Sequence, residues 1–190
     1  MKTPSELSLV TQRYLKEYRN ILEEMICQMT QAELTGSISH NFIVQMIPHH
    51  RAAIRMSENL LQYTTCIPLQ EIALRIITEQ TKSIQDMENA LKSCCRFQNP
   101  QQQLCRYQLR FGQITQAMFS EMKTACATNN LNSDFMREMI PHHQGAVRMS
   151  ENALCFAICP ELKPILRAII TSQEAGIREM QQLLCSSTCQ

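Results

Sequence analysis

The strongest constraint on this chain is that it contains itself twice. The segment Met46-Ile47-Pro48-His49-His50-Arg51-Ala52-Ala53-Ile54-Arg55-Met56-Ser57-Glu58-Asn59 returns as Met139-Ile140-Pro141-His142-His143-Gln144-Gly145-Ala146-Val147-Arg148-Met149-Ser150-Glu151-Asn152, with 11 of 14 positions identical. The same shift of 93 carries Cys66, Ile76, Gln80, Ile84 and Met87 onto Cys159, Ile169, Gln173, Ile177 and Met180, so that 21 of the 42 positions from Met46 to Met87 match. It also reaches backwards, from Tyr14, Tyr18, Ile21, Met25 and Met29 to Tyr107, Phe111, Ile114, Met118 and Met122. Two copies, residues 1–97 and 98–190, therefore fill the 190-residue chain. A pair of copies implies a pseudo-twofold arrangement within one domain, since stacked solenoids need three or more repeats.

Each copy reads as three helices. Thr3-Pro4-Ser5-Glu6 has the form of a capping box with Pro at the first helical position. The stripe Val10, Tyr14, Tyr18, Ile21, Met25, Met29 then steps by three and four residues, as one helical face does. Thr35-Gly36-Ser37 is expected to end this helix. A second helix places Phe42, Met46, His49, Ala53 and Met56 on one face. The chain turns near Cys66-Ile67-Pro68, and a third helix runs through Ile72, Ile76, Gln80, Ile84 and Met87. In the second copy Asn99-Pro100 marks the start and Cys159-Pro160 the last turn.

Short connections make neighbouring helices antiparallel, so the second and third helices of each copy form a hairpin and two hairpins form a four-helix bundle. The expected fold is all-α and ferritin-like, with one extra N-terminal helix per copy lying outside the bundle or across one end. Pro48 and Pro141 fall beside the His pairs. Each predicts either a kink that frees the carbonyl four residues earlier, at Val44 or Arg137, or the start of a new helix.

With 18 Lys+Arg against 17 Asp+Glu the chain lacks the basic excess of a nucleic-acid binder. No apolar stretch approaches the roughly 20 residues needed to cross a bilayer, and the N-terminus lacks a signal-peptide apolar core, which predicts a cytoplasmic protein. What stands out is sulfur and imidazole: 12 Met, 10 Cys and 5 His.

Four of the five histidines form the two His-His steps, each flanked by Met. Adjacent helical residues point about 100° apart, so one ring of each pair faces the core and the other flanks it. Met46 lies one turn before its His pair and Met56 two turns after His49, while Gln80 and Met87 share a face of the opposing helix. The second copy supplies Met139, His142, His143, Met149, Gln173 and Met180. Imidazole nitrogen with thioether sulfur suits soft or borderline ions, copper and especially Cu(I), and not the oxygen-seeking Mg or Ca. Met25, Met29, Met118 and Met122 read as adaptable core filling. His40 meets Ser133 across the copies and reads as a solvated turn residue, and the repeated Ser-Glu-Asn as a solvated face.

The pattern Phe135-x3-Met139-Ile140-Pro141-His142-His143-Gln144-Gly145-Ala146-Val147-x-Met149, followed by Gln173-Glu174-x2-Ile177-x2-Met180, resembles a bacterial ferritin-like family of unknown function typified by the copper-binding protein CopM. The resemblance covers about residues 39–92 and 132–185 and fits the second copy better. It implies a duplicated hairpin bundle and copper binding. By position it implicates His49, His50, Met46 and Met56 with His142, His143, Met139 and Met149, to which Met87 and Met180 would add ligands from the facing helices. In the first copy Asn41 stands for Asp134 and Thr81 for Glu174, so equal metal affinity of the halves does not follow. Members of this family are commonly exported, whereas no signal precedes this chain's first helix.

Only Cys66 and Cys159 are equivalent cysteines. Cys155 with Cys159, and Cys185 with Cys189, are spaced four apart on helical stretches and would present thiolate pairs to a soft metal, with Cys94-Cys95 adding ligands from a neighbouring helix end. Buried thiols or disulfides are the competing reading. An enzyme is the lesser alternative. Di-iron bundles need Glu-x-x-His steps, and the residues three before the five histidines are Ser37, Met46, Ile47, Met139 and Ile140. HExxH, GxSxG and a phosphate-binding glycine loop are absent as well. A bundle that keeps the histidines only for packing is the other alternative. The expectation is thus a non-enzymatic protein of copper homeostasis that sequesters or buffers Cu(I), its partner being the metal ion, with a homo-oligomer left open.

Overall fold

The computed structural model describes residues 7–94 and 96–186, which form six helices and, among those residues, no strand. They are α1 (Leu9–Thr30), α2 (Ile38–Leu61), α3 (Ile67–Cys94), α4 (Gln101–Thr124), α5 (Leu131–Leu154) and α6 (Leu162–Cys185). The fold is all-α. The hairpins α2–α3 and α5–α6 close a four-membered ring through contacts of α3 with α6 and α2 with α5. The extra helices lie along the bundle, α1 against α2 and α4 against α5.

Hydrophobic periodicity builds this arrangement. Tyr14, Tyr18, Ile21, Met25 and Met29 are all buried on α1, and Tyr107, Phe111, Ile114, Met118 and Met122 on α4. Phe42, Met46, Ala53 and Met56 face inward on α2, opposite Ile72, Ile76 and Met87 of α3. At the surface Arg75 of α3 pairs with Glu179 of α6, an exposed ion pair that adds little to stability.

Several local expectations are revised. The capping box at Thr3–Glu6 lies outside the described residues, and the N-cap of α1 is Ser8, whose side chain accepts from the Thr11 amide. That helix stops at Thr30, five residues before Thr35-Gly36-Ser37, because Ser37 serves the next helix, accepting from the His40 amide as N-cap of α2. His40 is therefore no turn residue: it sits half-buried in the first turn of α2, and burial lowers its pKa. Pro48 and Pro141 lie inside continuous helices, so no new helix begins at either.

The repeated Ser-Glu-Asn is solvated only at Glu58 and Glu151. Ser57, Asn59, Ser150 and Asn152 are buried, and the two asparagines do matching work. Asn59 Nδ2 donates to the Tyr14 carbonyl at 3.1 Å and Asn152 Nδ2 to the Tyr107 carbonyl at 3.2 Å, each pinning the outer helix of its repeat to the bundle. The Asn41/Asp134 difference is likewise structural. Asn41 Oδ1 accepts from the Thr35 amide at 2.7 Å and Asp134 from the Thr128 amide at 2.8 Å, so each fastens the loop ahead of its helix.

Candidate metal centre

The pseudo-twofold relation brings equivalent residues of the repeats face to face. His49 of α2 and His142 of α5 stack with ring centroids 3.7 Å apart and planes inclined by 28°. His50 and His143 flank them, each 5.9 Å from its neighbour's ring. All four rings are buried, so an inner pair and two outer rings form a belt across the bundle. His50 turns towards α3, where Ser83 Oγ lies 3.1 Å from its Nε2. Ser83 corresponds to Gly176 in the second repeat, where a Cβ would come within 3.1 Å of the His143 ring. The same sequence position thus binds one outer ring by a hydroxyl and makes room for the other by having no side chain.

Hydrogen bonding leaves most of the belt unsatisfied. His142 Nε2 lies 3.1 Å from the His49 carbonyl, which can only accept, so this nitrogen carries the proton and Nδ1 is left with a bare lone pair. That Nδ1 has no partner, nor do Nδ1 of His50 and His143 or either ring nitrogen of His49. The approaches of His49 to the His142 backbone and of His143 to the Met139 backbone lack hydrogen-bond geometry. Gln80 Nε2 and Oε1, Gln173 Oε1 and the hydroxyls of Ser57 and Ser150 are also buried without partners. Buried polar atoms are normally paired, each orphan costing about 1–3 kcal/mol, so such a concentration signals function.

The methionines named from sequence share this interior. Met46 and Met56 on α2, Met87 on α3, Met139 and Met149 on α5, and Met180 on α6 are all fully buried. No three imidazole nitrogens converge on a point. The group of three metal-binding side chains that does converge among the described residues is Cys94, Cys159 and Glu161. An ion at the belt would therefore take one or two imidazoles and draw the rest of its ligands from thioethers, a set that fits a soft ion content with few ligands.

Burial disfavours charge on every ring. His50 is pushed down to about 3 and His142 to about 4, while His49 and His143 lie well below the ordinary value, desolvation being the largest cause throughout. Neutral imidazoles keep a lone pair free for metal at neutral pH. Two acids behave oppositely, and burial raises Asp134 as well as Glu138. Glu138 of α5, unnoticed in the sequence because its counterpart is Gln45, is buried and accepts a 2.7 Å hydrogen bond from Tyr14 Oη of α1. Desolvation raises it to about 8.

These shifts set a pH profile. Rings whose folded pKa lies below 6.5 give stability that is complete above that value and lost as pH falls. Glu138, raised from 4.5 to about 8, gives stability that is complete below 4.5 and lost as pH rises through about 8. The four belt rings, with His40, outweigh the raised carboxyls of Glu138 and Asp134 on the acid side, so thermal melts of the metal-free protein should peak at about pH 6.5–7. Glu138→Gln should flatten the alkaline limb, which is worth on the order of a few kcal/mol. A limb unchanged in that variant would contradict the assignment.

The cysteines depart from expectation. Cys155 caps α5 and is exposed, and Cys159 lies in the following turn in a disulfide with Cys94 at the end of α3, so the 155/159 pair offers no helical thiolate site. Cys66 is disulfide-bonded as well. Cys185 is exposed, and Cys95 and Cys189 lie outside the described residues.

Residues 21–91 and 39–184 match the family described as Domain of unknown function (DUF305). The chain belongs to the DUF305 family. No curated protein matches it. Among solved structures it is similar to CopM in a silver-bound form, with 29% identity and a TM-score of 0.58 over 78% of this chain and 96% of that one. CopM in the Cu(I)-bound form gives 29% identity and a TM-score of 0.57, covering 76% of this chain and 94% of that one. A DUF305 fragment from Deinococcus radiodurans is 26% identical, with a TM-score of 0.57 over 78% of this chain and 95% of that one. CopM has also been solved with Cu(II) bound. No helix of this DUF305 chain is long and apolar enough to cross a membrane, among the described residues.

Proposed function

We propose that this DUF305 protein binds copper and holds it as Cu(I), sequestering or buffering the ion without turnover. The observation that carries the proposal is the belt of buried, neutral and largely unpartnered imidazoles where the two repeats meet, in a core that also buries the candidate methionines. His142 Nδ1 is buried with a free lone pair, and His49, His50 and His143 supply further nitrogens. Met46, Met56, Met139 and Met149 are the sulfur donors on the same helices, with Met87 and Met180 opposite them. Likeness to CopM, solved with Cu(I), Cu(II) and silver, supports a soft ion as cargo. The apolar core around the belt would limit access of water and oxygen and so favour the reduced ion.

A second reading is a structural lock, in which the His49–His142 stack and its 3.1 Å bond to the His49 carbonyl join the hairpins without metal. An anaerobic Cu(I) titration against a competing chelator separates the two. The variant with His49, His50, His142 and His143 all changed to Ala should lose affinity by more than about 100-fold, because losing a ligand outweighs the 10–100-fold cost of losing a ligand's own hydrogen-bond partner. Unchanged binding in a variant that circular dichroism reports as helical would overturn the proposal. Should the alanines unfold the bundle, the leucine pair discussed below provides the folded comparison.

A further inference from the structure

We propose that Cys94, Cys159 and Glu161 form a second metal site, separate from the histidine belt and created when the Cys94–Cys159 disulfide is reduced. Its ion would be a borderline divalent cation of the zinc type, for which two thiolates and a carboxylate are suitable donors.

The geometry is already assembled. The two sulfurs and a Glu161 carboxylate oxygen all lie within 4.8 Å of one another, and both cysteines are buried. Glu161 Oε2 comes within 2.8 Å of Cys159 Sγ. A disulfide sulfur has no proton to place in that contact. A thiol would turn it into a hydrogen bond, and a metal held by both groups would replace the proton. The carboxylate belongs to this site alone, because the position equivalent to Glu161 beside Cys66 is Pro68.

The surrounding backbone does not depend on the S–S bond for its position. Ser39 Oγ accepts from the Cys159 amide at 2.9 Å, and Asn99 Nδ2 donates to the Ala157 carbonyl at 2.7 Å. Asn99 Oδ1 in turn accepts from the Ile38 amide at 2.9 Å. These bonds tie the α5–α6 turn to the start of α2, where Ser37 Oγ donates to the Cys94 carbonyl at 3.5 Å, so both cysteines are held to the same helix start and opening the disulfide leaves the sulfurs side by side. Two buried thiols held together this way are readily converted to thiolates by a cation that balances their charge.

The chemistry balances with a dithiol reductant of the kind that maintains reducing compartments. Its two sulfurs give up two electrons and two protons and become a disulfide. The Cys94–Cys159 bond breaks and each sulfur takes one proton. The incoming divalent ion then displaces both protons to solvent and binds two thiolates and the Glu161 carboxylate. In an oxidising compartment the pair stays closed and the site does not form, so metal capacity at this end of the bundle reports the redox state around the protein.

Cd(II) titration followed by ultraviolet thiolate-to-metal charge transfer tests the site. The starting protein carries Ser at the exposed cysteines Cys27, Cys105, Cys126, Cys155 and Cys185 and also at Cys66, Cys95 and Cys189, so that reduction frees thiols at Cys94 and Cys159 alone. Reduction with a phosphine should add about one equivalent of thiolate-bound Cd(II) that is lost on adding Cys94→Ser and Cys159→Ser. Both reduced proteins lack the bridge, so its loss affects them alike, and circular dichroism establishes that they remain folded. Glu161→Gln should keep the band and weaken binding by more than about tenfold, since a neutral amide replaces a charged ligand. Replacing the four belt histidines should leave the band in place, which keeps this test independent of the copper proposal. An equal band in the reduced Ser pair, or no added band in the reduced parent, would overturn the proposal. Unchanged affinity in Glu161→Gln would remove the carboxylate from the site.

Discussion

Replacing His49 and His142 together by Leu should make the metal-free protein more stable by about 1–3 kcal/mol, while Cu(I) affinity falls by more than about 100-fold. Five belt nitrogens are buried without partners, three of them on these two rings. An orphaned polar atom carries its full desolvation cost, and exchanging both members of a buried polar pair for apolar groups of similar volume is often neutral or stabilising. The stack is fully buried, and Met46 and Met139 of the same two helices are buried with it, so Leu would enter an apolar core. The histidines would then persist at the expense of stability, as residues kept for a ligand do. A structural lock predicts the reverse, a fall in melting temperature with no copper phenotype. Chemical denaturation of the metal-free protein, followed by chelator competition on the same sample, checks both halves.

The second large effect concerns the Cys94–Cys159 bridge. It spans a sequence separation of 65 residues and joins the end of the first hairpin to the turn of the second. Closing a loop of that size restricts the unfolded chain, and the Cys94→Ala/Cys159→Ala variant should lose about 2–4 kcal/mol. For a chain of this length that corresponds to a fall of about 5–15 °C in melting temperature. The bundle should nevertheless keep its helical signal, because the four-membered ring and the bonds from Ser39 and Asn99 do not need the disulfide. A scan of both proteins by calorimetry measures the difference, and equal melting temperatures would mean that the bridge closes without constraining the chain.

Much of this architecture is legible in the sequence because helical burial repeats every three to four residues and the duplication states the pattern twice. The inward faces of α2 and α3 were therefore readable from Phe42, Met46, Gln80 and Met87 alone. The His-His step was readable as one ring in and one ring beside it. That the inner rings would be His49 and His142, stacked on each other, depends on how the two hairpins meet, and one strand of sequence carries no such distance.

Features outside the repeat were hidden for a different reason. The bridge joins Cys94 to Cys159, and the shift of 93 places Ser187 and Cys66 opposite them, so repetition gave no signal of the pairing. The Tyr14–Glu138 bond links α1 of one repeat to α5 of the other, and the matching pair is Tyr107 with Gln45, where the Tyr107 hydroxyl has no partner. Ser37 is ambiguous in sequence because a Thr-Gly-Ser run marks both the end of one helix and the cap of the next. Only the hydrogen bond to the His40 amide decides which.

The most direct measurement on the central claim is the copper K-edge X-ray absorption spectrum of the Cu(I)-loaded protein with its free thiols blocked by alkylation. Binding at the belt predicts a mixed first shell of imidazole nitrogen and thioether sulfur, with the outer-ring scattering that imidazole gives, and its loss in the His49→Leu/His142→Leu variant. A shell of sulfur alone, or a spectrum unchanged in that variant, would contradict the account.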